Sequence, residues 1–338
     1  MSNYKYWDNI NFTNNYVPRD KYILFDPYPA GFNNVRMSYE IAACMAYALN
    51  RILVISEHRR IAGLDEQIKF SEFYDLNNLG IQILEKSSLK ESFNIKKITN
   101  RAHEVLYKLD VCKERESFQG NEILNLFDMD DDILYFPRNL FGNFYHAIAS
   151  SRMQEIKTFI AKNFHYKENI FDLAQNAINE KLGDLDYYAI HIRRNDFNMG
   201  WHIGTIVLPA EEILQTIESF IPKKCKLYIA TDEIDKSYFE PFFKDYDVSF
   251  YEDLNIDHSS KKYSIAIEQI ICARAISFVG CYNSTFSTYI NRLRGYMKDI
   301  EDKRCLHYCK KFFEQTNDEN NFLGLFSREY SEAWNFNN

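Results

Sequence analysis

The sequence predicts an α/β protein built on parallel sheets, because short apolar strands alternate with amphipathic helices along much of the chain. A first run of this pattern covers residues 22–56, where a strand, a turn-rich loop, a helix and another strand follow one another. A second run covers residues 187–294, where strands again alternate with helices. A chain of 338 residues with 46% hydrophobic residues is long enough for two domains, each with its own core.

The first run begins with a strand predicted over residues 22–26, whose sequence YILFD is apolar and aromatic. A helix is predicted over 35–49, because apolar side chains recur on one face, and a second strand follows over 52–56. After a stretch without a clear pattern, a short strand is predicted over 133–136 and helical sequence over about 143–181.

The C-terminal half alternates more regularly between strands and helices. Its predicted strands are 187–192, 226–230, 248–251 and 276–279. Its predicted helices are one that begins at Pro209, one that ends near Phe243, and two that cover 262–275 and 286–294. The polar residues of interest in this half follow strand ends, which is where parallel sheets bind ligands.

The net charge of −8 argues against a nucleic-acid partner and against binding to anionic membranes, so a phosphate site must be a local basic pocket. The N-terminal segment has no apolar core like that of a signal peptide, and no apolar run is long enough to span a membrane. We therefore expect a cytoplasmic protein.

Seven cysteines are scattered along the chain without a C-x-x-C pair, which favours free thiols in a reducing compartment over disulfides. Cys305 and Cys309 flank His307, but no companion cluster exists that would complete a structural zinc site. The cysteines therefore predict neither a disulfide framework nor a metal centre.

The segment HIRRND places polar residues at and just beyond the end of the strand predicted over 187–192. Arg193 and Arg194 are costly to bury and suit an anion that needs two forked cations, so pyrophosphate is our hypothesis. One arginine would contact the ligand while the other pairs with an acid or braces a loop, and Asp196 is expected to be that brace. His191 would donate to a phosphate or sugar oxygen. The alternatives are a surface ion pair between Arg194 and Asp196, and a histidine satisfied within the core.

The segment AGFNNVR, residues 30–36, follows the first strand and opens the first helix. Gly31 lets a ligand approach the backbone closely, and the amides of Asn33 and Asn34 offer donors and acceptors. The alternative is a Gly-Asn turn that binds nothing.

The segment GCYNSTFSTYINRLRGY, residues 280–296, combines a strand end with a helix start. Ser284, Thr285 and Phe286 begin the helix, where free backbone N–H groups, hydroxyl groups and the positive helix end form a seat for an anion. The alternative is an ordinary helix cap without a ligand.

Two pairs of carboxylates, Asp130 with Asp132 and Asp184 with Asp186, resemble the motif that holds a metal ion on a nucleotide sugar. Both pairs lie in acidic turns with polar neighbours and without the flanking strand of that motif. We interpret them as solvated turns and predict no metal site.

In chain order, these segments resemble the O-fucosyltransferase superfamily, which includes protein O-fucosyltransferases and α1,6-fucosyltransferases. HIRRND is similar to the H-x-R-R-x-D motif of that superfamily, and AGFNNVR is similar to its Gly-rich loop. YIATDE at 228–233 and the run at 267–296 resemble its C-terminal core, so the resemblance covers residues 22–56 and 187–296. It implies a GT-B fold with two Rossmann-like domains facing across a cleft. It also implies GDP-fucose as the donor substrate, inversion at the sugar carbon, and neither metal nor cofactor.

The resemblance also implies which residues bind the donor. His191, with Arg193 or Arg194, would bind the pyrophosphate, and residues 284–286 would close on the β-phosphate. A family carboxylate that recognises guanine stands about sixteen residues before the phosphate-binding serine, and here that position is Glu268. A carboxylate accepts hydrogen bonds from both N1–H and the N2 amine of guanine. The alternative is a glutamate on the helix surface.

The first loop would line the same donor site through Gly31, Phe32, Asn33 and Asn34. Some members of the superfamily carry a glutamate base directly before the Gly-Phe pair, where this chain has Ala30. Others use an asparagine of that loop, which Asn33 or Asn34 matches.

The identity of the catalytic base is open. The α1,6 enzymes place a glutamate where this chain has Trp201, and His202 is the nearest titratable substitute. We expect Arg193 or Arg194 to neutralise the leaving group, while His202 or Asp196 activates the acceptor hydroxyl.

The sequence thus predicts an N-terminal Rossmann-like acceptor-side domain over 1–182, a nucleotide-sugar-binding domain over 183–304, and a tail over 305–338 that packs back on the core. The predicted function is an inverting, metal-independent fucosyltransferase that moves fucose from GDP-fucose to a glycan or protein hydroxyl. Alternatives are a GT-B transferase with another nucleotide sugar and an inert GDP-sugar-binding protein.

Overall fold

A computed structural model of the chain describes residues 4–26, 30–56, 58–60, 67–89, 94–97, 130–137, 151–195, 208–281 and 284–308. Contacts between Cα atoms divide the chain into two compact units. We call Trp7–Lys167 the first unit, and Met1–Tyr6 with Glu168–Asn338 the second unit. This division falls before the predicted boundary at residue 182, because helix Glu168–Ala177 packs against helix Ser264–Arg274.

The first unit contains seven strands and three α-helices among its described residues. The strands are β1 (Tyr22–Phe25), β2 (Ile52–Ile55), β3 (His58–Arg60), β4 (Gln67–Lys69), β5 (Ile83–Glu85), β6 (Ile95–Lys97) and β7 (Ile133–Phe136). The helices are α1 (Phe32–Leu49), α2 (Phe70–Phe73) and α3 (Ser151–Asn163). Five strands form a parallel sheet with the order β5-β2-β1-β7-β6, while β3 and β4 form a separate antiparallel pair.

The described part of the second unit contains five strands and five α-helices. The strands are β8 (Tyr188–Ile192), β9 (Lys226–Thr231), β10 (Asp247–Ser249), β11 (Phe278–Gly280) and β12 (Leu306–His307). The helices are α4 (Glu168–Ala177), α5 (Ala210–Ile217), α6 (Glu240–Phe243), α7 (Ser264–Arg274) and α8 (Thr285–Tyr296). The strands form one parallel sheet with the order β10-β9-β8-β11-β12. Two parallel sheets with helical connections confirm the predicted α/β class.

Short helical turns connect the longer elements. The 3-10 turns are Tyr6–Asn9, Leu76–Asn78, Lys86–Ser88, Lys236–Phe239, Tyr251–Asp253 and His258–Tyr263, and one π-helical turn covers Ile178–Leu182. In the described part of the C-terminal tail, Leu306–His307 forms the edge strand β12, which pairs with β11.

The central strands β8 and β9 of the second sheet are buried along almost their whole length, which explains why they are almost continuously apolar. Ile190 of β8 and Leu227 and Ile229 of β9 are fully buried in one core cluster. Helix α5 contributes Ile213 and Ile217 to the same cluster, so its apolar face fixes it on the sheet.

Helix α1 begins at Phe32, earlier than its predicted start at residue 35, and Gly31 occupies the N-cap position. It ends at Asn50, which adopts a left-handed conformation with φ of 53° and donates its backbone N–H to the Ala46 and Tyr47 carbonyls. Asparagine tolerates this conformation better than most residues, so it terminates the helix directly before β2.

Strand β11 begins two residues later than the predicted strand over 276–279, and Arg294 explains the shift. The Arg294 guanidinium is fully buried and donates to the carbonyls of Ala273 at 3.0 Å, Ala275 at 2.6 Å and Ile276 at 3.0 Å. These contacts hold the end of α7 and the following residues in a connecting turn. Burial lowers the pKa of Arg294 to about 10, which leaves the side chain positively charged at neutral pH.

We predict that Arg294→Met lowers the free energy of unfolding by at least about 3 kcal/mol, because several carbonyls lose a donor at once and each buried loss costs about 1–3 kcal/mol. Chemical denaturation followed by circular dichroism measures the change. The control is Arg304→Ala, whose side chain is 60% exposed and pairs with Asp302. Such a surface pair contributes about 1 kcal/mol at most. Equal effects of the two changes would show that Arg294 does not hold this turn.

Candidate functional site

The candidate site lies where the strand order of the second sheet reverses, between β8 and β11. These strands are parallel neighbours, with Ala189 beside Phe278 and Ile190 beside Val279. The chain leaves β8 toward β9 on one side and reaches β12 from β11 on the other. Parallel α/β sheets bind ligands outside the carboxyl ends of their strands at such a reversal. The residues that follow β8 and β11 are therefore the candidates.

His191 joins the two predicted segments that follow these strands. It is buried in β8, and its Nδ1 lies 2.8 Å from the Ser287 hydroxyl of α8. Its ring also contacts the Phe286 ring, with 4.4 Å between the centroids. The double-arginine segment and the start of α8 are thus held against each other.

The start of α8 has the features of an anion seat. Ser284 is the N-cap residue, and its side chain makes no capping hydrogen bond to the helix. Thr285 and Phe286 retain partial exposure at the first turn of this twelve-residue helix. Backbone N–H groups at a helix start carry partial positive charge and lack helical acceptors, so they bind anions.

Gly280 allows α8 to approach the end of β11. A Cβ atom at this position would lie 2.9 Å from the Ser287 Cβ and 3.0 Å from its hydroxyl oxygen. That oxygen also accepts the Cys281 backbone N–H at 2.9 Å. A side chain at position 280 would therefore displace Ser287 and, with it, the contact to His191.

Asp232, directly after β9, organises the double-arginine loop. Its carboxylate accepts the backbone N–H groups of Arg194 at 2.8 Å and Asn195 at 3.2 Å. It also pairs with the Arg193 Nε at 3.2 Å. One carboxylate thus fixes both the backbone of the loop and one edge of the Arg193 guanidinium.

The two arginines have different surroundings. The guanidinium carbon of Arg194 lies 3.7 Å from the centroid of the Tyr238 ring, and its Nε lies 2.7 Å from a Glu233 carboxylate oxygen as an ion pair without hydrogen-bond geometry. Its side chain is 20% exposed, compared with 35% for Arg193. Stacking and pairing make Arg194 the brace, and Arg193 is the better candidate for a ligand contact.

Neither Asp232 nor Glu233 was assigned a role from the sequence, although both belong to the segment YIATDE. The sequence signal for this role is an acidic pair at the end of one predicted strand, β9, together with two arginines at the end of the preceding predicted strand, β8. The bracing role had been expected of Asp196. Asp196 and His202 both lie outside the described residues, so their predicted roles stay predictions.

Glu268 of α7 is partly exposed and accepts a hydrogen bond from the buried Tyr228 hydroxyl at 2.9 Å. Burial raises the pKa of Glu268 to about 8, while the hydrogen bond from Tyr228 lowers it and the neighbouring Glu252 raises it. Asp232 also raises this pKa, which links Glu268 electrostatically to the arginine loop. At neutral pH such a carboxyl is mostly protonated, so it must lose its proton before both of its oxygens can accept hydrogen bonds from a ligand.

In the first unit, the predicted loop lies at the start of α1, after the carboxyl end of β1. Among the described residues, no atom lies within 4 Å of a Cβ built on Gly31. Phe32 and Asn33 are buried, and the Asn33 side-chain oxygen lies 3.4 Å from the Nε of Arg36 as its hydrogen-bond acceptor. The side-chain oxygen of Asn34 is buried without a hydrogen-bond partner among the described residues.

A cavity of about 560 Å³ lies within the first unit, beside the ends of β2 and β5. Its lining is mainly polar and includes Asp75, Asn77, Gln82 and Lys167 next to the ring of Tyr74. Carboxylate, amide and ammonium groups around an aromatic ring suit a ligand rich in hydroxyl groups.

The carboxylate pairs that resemble a metal motif are engaged by protein groups. Asp130 forms an ion pair with Lys21, which lowers the pKa of Asp130. Asp132 accepts the Asn94 backbone N–H at 3.1 Å. Both residues therefore support the turn that leads into β7.

The second carboxylate pair divides between a structural residue and a surface residue. Asp184 is not a solvated residue, because it accepts hydrogen bonds from the buried Arg274 guanidinium at 2.9 and 3.1 Å. Asp186 is 73% exposed at its side chain and pairs with Lys226 at 3.1 Å. Within the described part of the chain, no group of three or more His, Cys, Asp or Glu residues is placed to hold a metal ion.

No helix among the described residues is long and apolar enough to cross a membrane. The described cysteines at positions 44, 225, 272, 281 and 305 are free thiols.

The sequence matches one protein family over most of its length. The model of the family described as GDP-fucose protein O-fucosyltransferase matches residues 22–297. Among curated proteins, GDP-fucose protein O-fucosyltransferase 2 of Plasmodium berghei (strain Anka) is 30% identical over 161 residues, which is 46% of this chain. The matched part is only 30% of the length of that relative.

The fold is similar to those of solved fucosyltransferases. POFUT1 in complex with GDP-fucose has a TM-score of 0.53 and 16% identity, covering 84% of this chain and 97% of that one. The fucosyltransferase NodZ from Bradyrhizobium has a TM-score of 0.54 and 14% identity, covering 81% and 94% of the two chains. Together with the two parallel sheets, these similarities confirm the predicted GT-B-like fold class.

We predict that Arg193→Ala weakens the binding of inorganic pyrophosphate roughly tenfold to a hundredfold, because one charge-assisted hydrogen-bonding group is lost. Arg194→Ala should instead lower the melting temperature, because Tyr238 and Glu233 lose their shared partner, and should affect affinity less. Calorimetry and thermal denaturation of both variants provide the comparison. Normal affinity and normal melting in both variants would refute the pyrophosphate assignment.

Proposed function

Because the chain belongs to the GDP-fucose protein O-fucosyltransferase family, we propose that it transfers fucose from GDP-fucose to a hydroxyl group of a glycan or protein. The observation that carries this proposal is that His191, two residues before Arg193, contacts Ser287 and Phe286 in the first turn of α8, at the strand reversal of the second sheet. Such a site supplies the hydrogen-bond donors and positive charge that a nucleoside diphosphate leaving group requires.

The proposed role of these groups is to stabilise the departing diphosphate. As the bond between fucose and GDP breaks, negative charge grows on the β-phosphate. Arg193 and the backbone N–H groups at the start of α8 are already held in place by Asp232 and by the fold, so they need not reorganise. One preorganised donor of this kind contributes about 3 kcal/mol, which is roughly a hundredfold in rate.

We further propose a single displacement that inverts the configuration at the sugar carbon, with the acceptor hydroxyl attacking opposite the leaving GDP. Asp196 and His202 stay candidates for taking the acceptor proton. The side chain of Asn34 is proposed only to orient the attacking hydroxyl as a hydrogen-bond acceptor, because an amide oxygen is too weak a base to take the proton.

For the acceptor, we propose that the cavity of the first unit binds part of a glycan or glycosylated peptide. Its mixture of carboxylate, amide and ammonium side chains around Tyr74 supports a hydroxyl-rich ligand over an apolar one. A cytoplasmic location is also proposed, and the free thiols of the described cysteines support a reducing compartment.

A specific observation favours a second candidate function, an inert GDP-sugar-binding protein. Ala30 stands where some members of the superfamily carry their glutamate base. Three measurements made together separate the possibilities: GDP binding, hydrolysis of radiolabelled GDP-fucose, and fucose transfer onto arrays of glycans and peptides. Transfer to any acceptor supports the enzyme, whereas GDP binding with neither hydrolysis nor transfer supports the inert protein. Selective use of another nucleotide sugar would overturn the proposed donor.

We predict that GDP binds equally well with and without EDTA, because protein groups supply the positive charge around the diphosphate. Calorimetry in metal-free buffer, then with added manganese, measures this. A requirement for manganese would contradict the proposal and return attention to the paired carboxylates at 130–132.

We predict that Glu268→Gln weakens GDP binding roughly tenfold to a hundredfold, because glutamine presents an amine to one of the two guanine donors, and an unsatisfied buried pair costs about 1–3 kcal/mol. Inorganic pyrophosphate should bind the variant normally.

The wild-type carboxyl must lose its proton to accept both hydrogen bonds. Because the pKa of Glu268 is raised to about 8, GDP binding should release a proton at pH 7, and the affinity for GDP should increase as the pH rises toward 8.

Calorimetry in buffers of different ionisation enthalpy detects the released proton. The matched control is Glu240→Gln, which makes the same substitution at an exposed glutamate that is not among the groups that shift the pKa of Glu268. Unchanged GDP affinity in Glu268→Gln would make this residue an ordinary helix glutamate.

A further inference from the structure

We propose that Ser287 is a positioning residue that holds His191 in the tautomer with its hydrogen on Nε2. The tautomer itself follows from contacts within the second unit. The use of the His191 Nε2–H group as a fixed hydrogen-bond donor to the diphosphate of GDP-fucose rests on the proposed function.

The hydrogen-bond inventory of Ser287 carries the inference. Its hydroxyl oxygen is fully buried and accepts the Cys281 backbone N–H at 2.9 Å. The same oxygen lies 2.8 Å from the Nδ1 of His191. A serine hydroxyl has one hydrogen to donate, and donation to Nδ1 satisfies every group in this chain of contacts.

The opposite tautomer leaves the buried Ser287 hydroxyl hydrogen without an acceptor in the part of the chain that the structure describes. With a hydrogen on Nδ1, the Ser287 oxygen would accept from both His191 and Cys281. Its own hydroxyl hydrogen would then have no partner among the residues that the structure describes. An unsatisfied buried donor is disfavoured by about tenfold or more, so the Nε2–H form dominates.

The surrounding packing also fixes the orientation of the ring. Phe286 lies against the His191 ring at 4.4 Å between centroids and an interplanar angle of 36°. Rotating the ring by half a turn would place a carbon atom against the Ser287 oxygen and break the hydrogen bond. The close approach of Ser287 is itself possible only because residue 280 is glycine.

The tautomer decides which chemistry His191 performs. In the neutral ring, the Nδ1 lone pair is occupied by Ser287 and Nε2 carries a hydrogen. No lone pair is then available to take a proton from an acceptor hydroxyl, so His191 is a hydrogen-bond donor and not the catalytic base. Ser287 acts only through His191, since it need not touch the substrate.

Nitrogen NMR on the full-length, nitrogen-15-labelled protein tests the tautomer without any ligand. The chain has eight histidines, so the His191 signals are assigned by their loss in His191→Gln. We expect a hydrogen on Nε2 in the wild type, and nitrogen shifts that move toward the average of the two tautomers in Ser287→Ala. Thr288→Ala is the matched control, because it removes a buried hydroxyl from the same helix that instead donates to the Thr285 carbonyl.

A wild-type signal with the hydrogen on Nδ1 would overturn the inference, and so would a Ser287→Ala spectrum identical to the wild type. If Ser287→Ala does not fold, the wild-type spectrum still decides between the two tautomers.

GDP affinity tests how the tautomer is used. Glutamine at position 191 places its amide hydrogens near the site of Nε2, whereas asparagine places them near Nδ1. We expect His191→Gln to bind GDP about tenfold more tightly than His191→Asn. Equal binding, or tighter binding by the asparagine variant, would overturn the assigned use. Failure of the wild type to bind GDP would instead refute the proposed function and leave the NMR result intact.

Discussion

The reversal of strand order between β8 and β11 is the constraint on which the candidate site depends. Because the chain leaves β8 and β11 in opposite directions, the carboxyl ends of these two strands form the kind of reversal point at which parallel α/β sheets bind ligands. The reversal also brings together segments that are far apart in sequence. His191 and Ser287 can then form one hydrogen bond, while Asp232, from the next strand on the other side, holds the arginine loop. A different strand order with the same residues would scatter these groups.

The arginines of this protein show why cationic residues are ambiguous in a sequence. Arg36 is fully buried beside Glu40, Arg274 is held by carboxylates, and Arg294 serves backbone carbonyls. Each satisfies the rule that a buried charge needs partners, so none of them is free to serve a ligand. Arg193 differs in its position after a strand at the reversal point and in its greater exposure. Location in the sheet, more than residue type, separates the ligand candidate from the structural cations.

Local patterns in the sequence predicted most strands of the second sheet and the segments at the ends of β8 and β11 that form part of the candidate site. The apolar run before His191 predicted β8, and the hydroxyl residues after Gly280 predicted the start of α8, because both depend on near neighbours in the chain. The contacts of Asp232 and Ser287 could not be predicted, since each depends on a partner brought close by the fold. Which arginine acts as the brace was equally hidden, because Tyr238 and Glu233 surround Arg194 only after β9 is in place. The shifted start of β11 has the same origin, in the long-range contact of Arg294.

The second unit takes part of its packing from the opposite end of the chain. Tyr4 donates its hydroxyl hydrogen to Asp184 at 2.9 Å and lies beneath the Arg274 guanidinium, while the Tyr6 ring stacks on Tyr296 at 4.8 Å between centroids. During synthesis these tyrosines are made before the first unit, and their partners are made after it. The contacts of Tyr4 and Tyr6 can therefore form only once the intervening unit and the segment 168–296 have been made, so the second unit cannot complete its packing before the first unit has been synthesised.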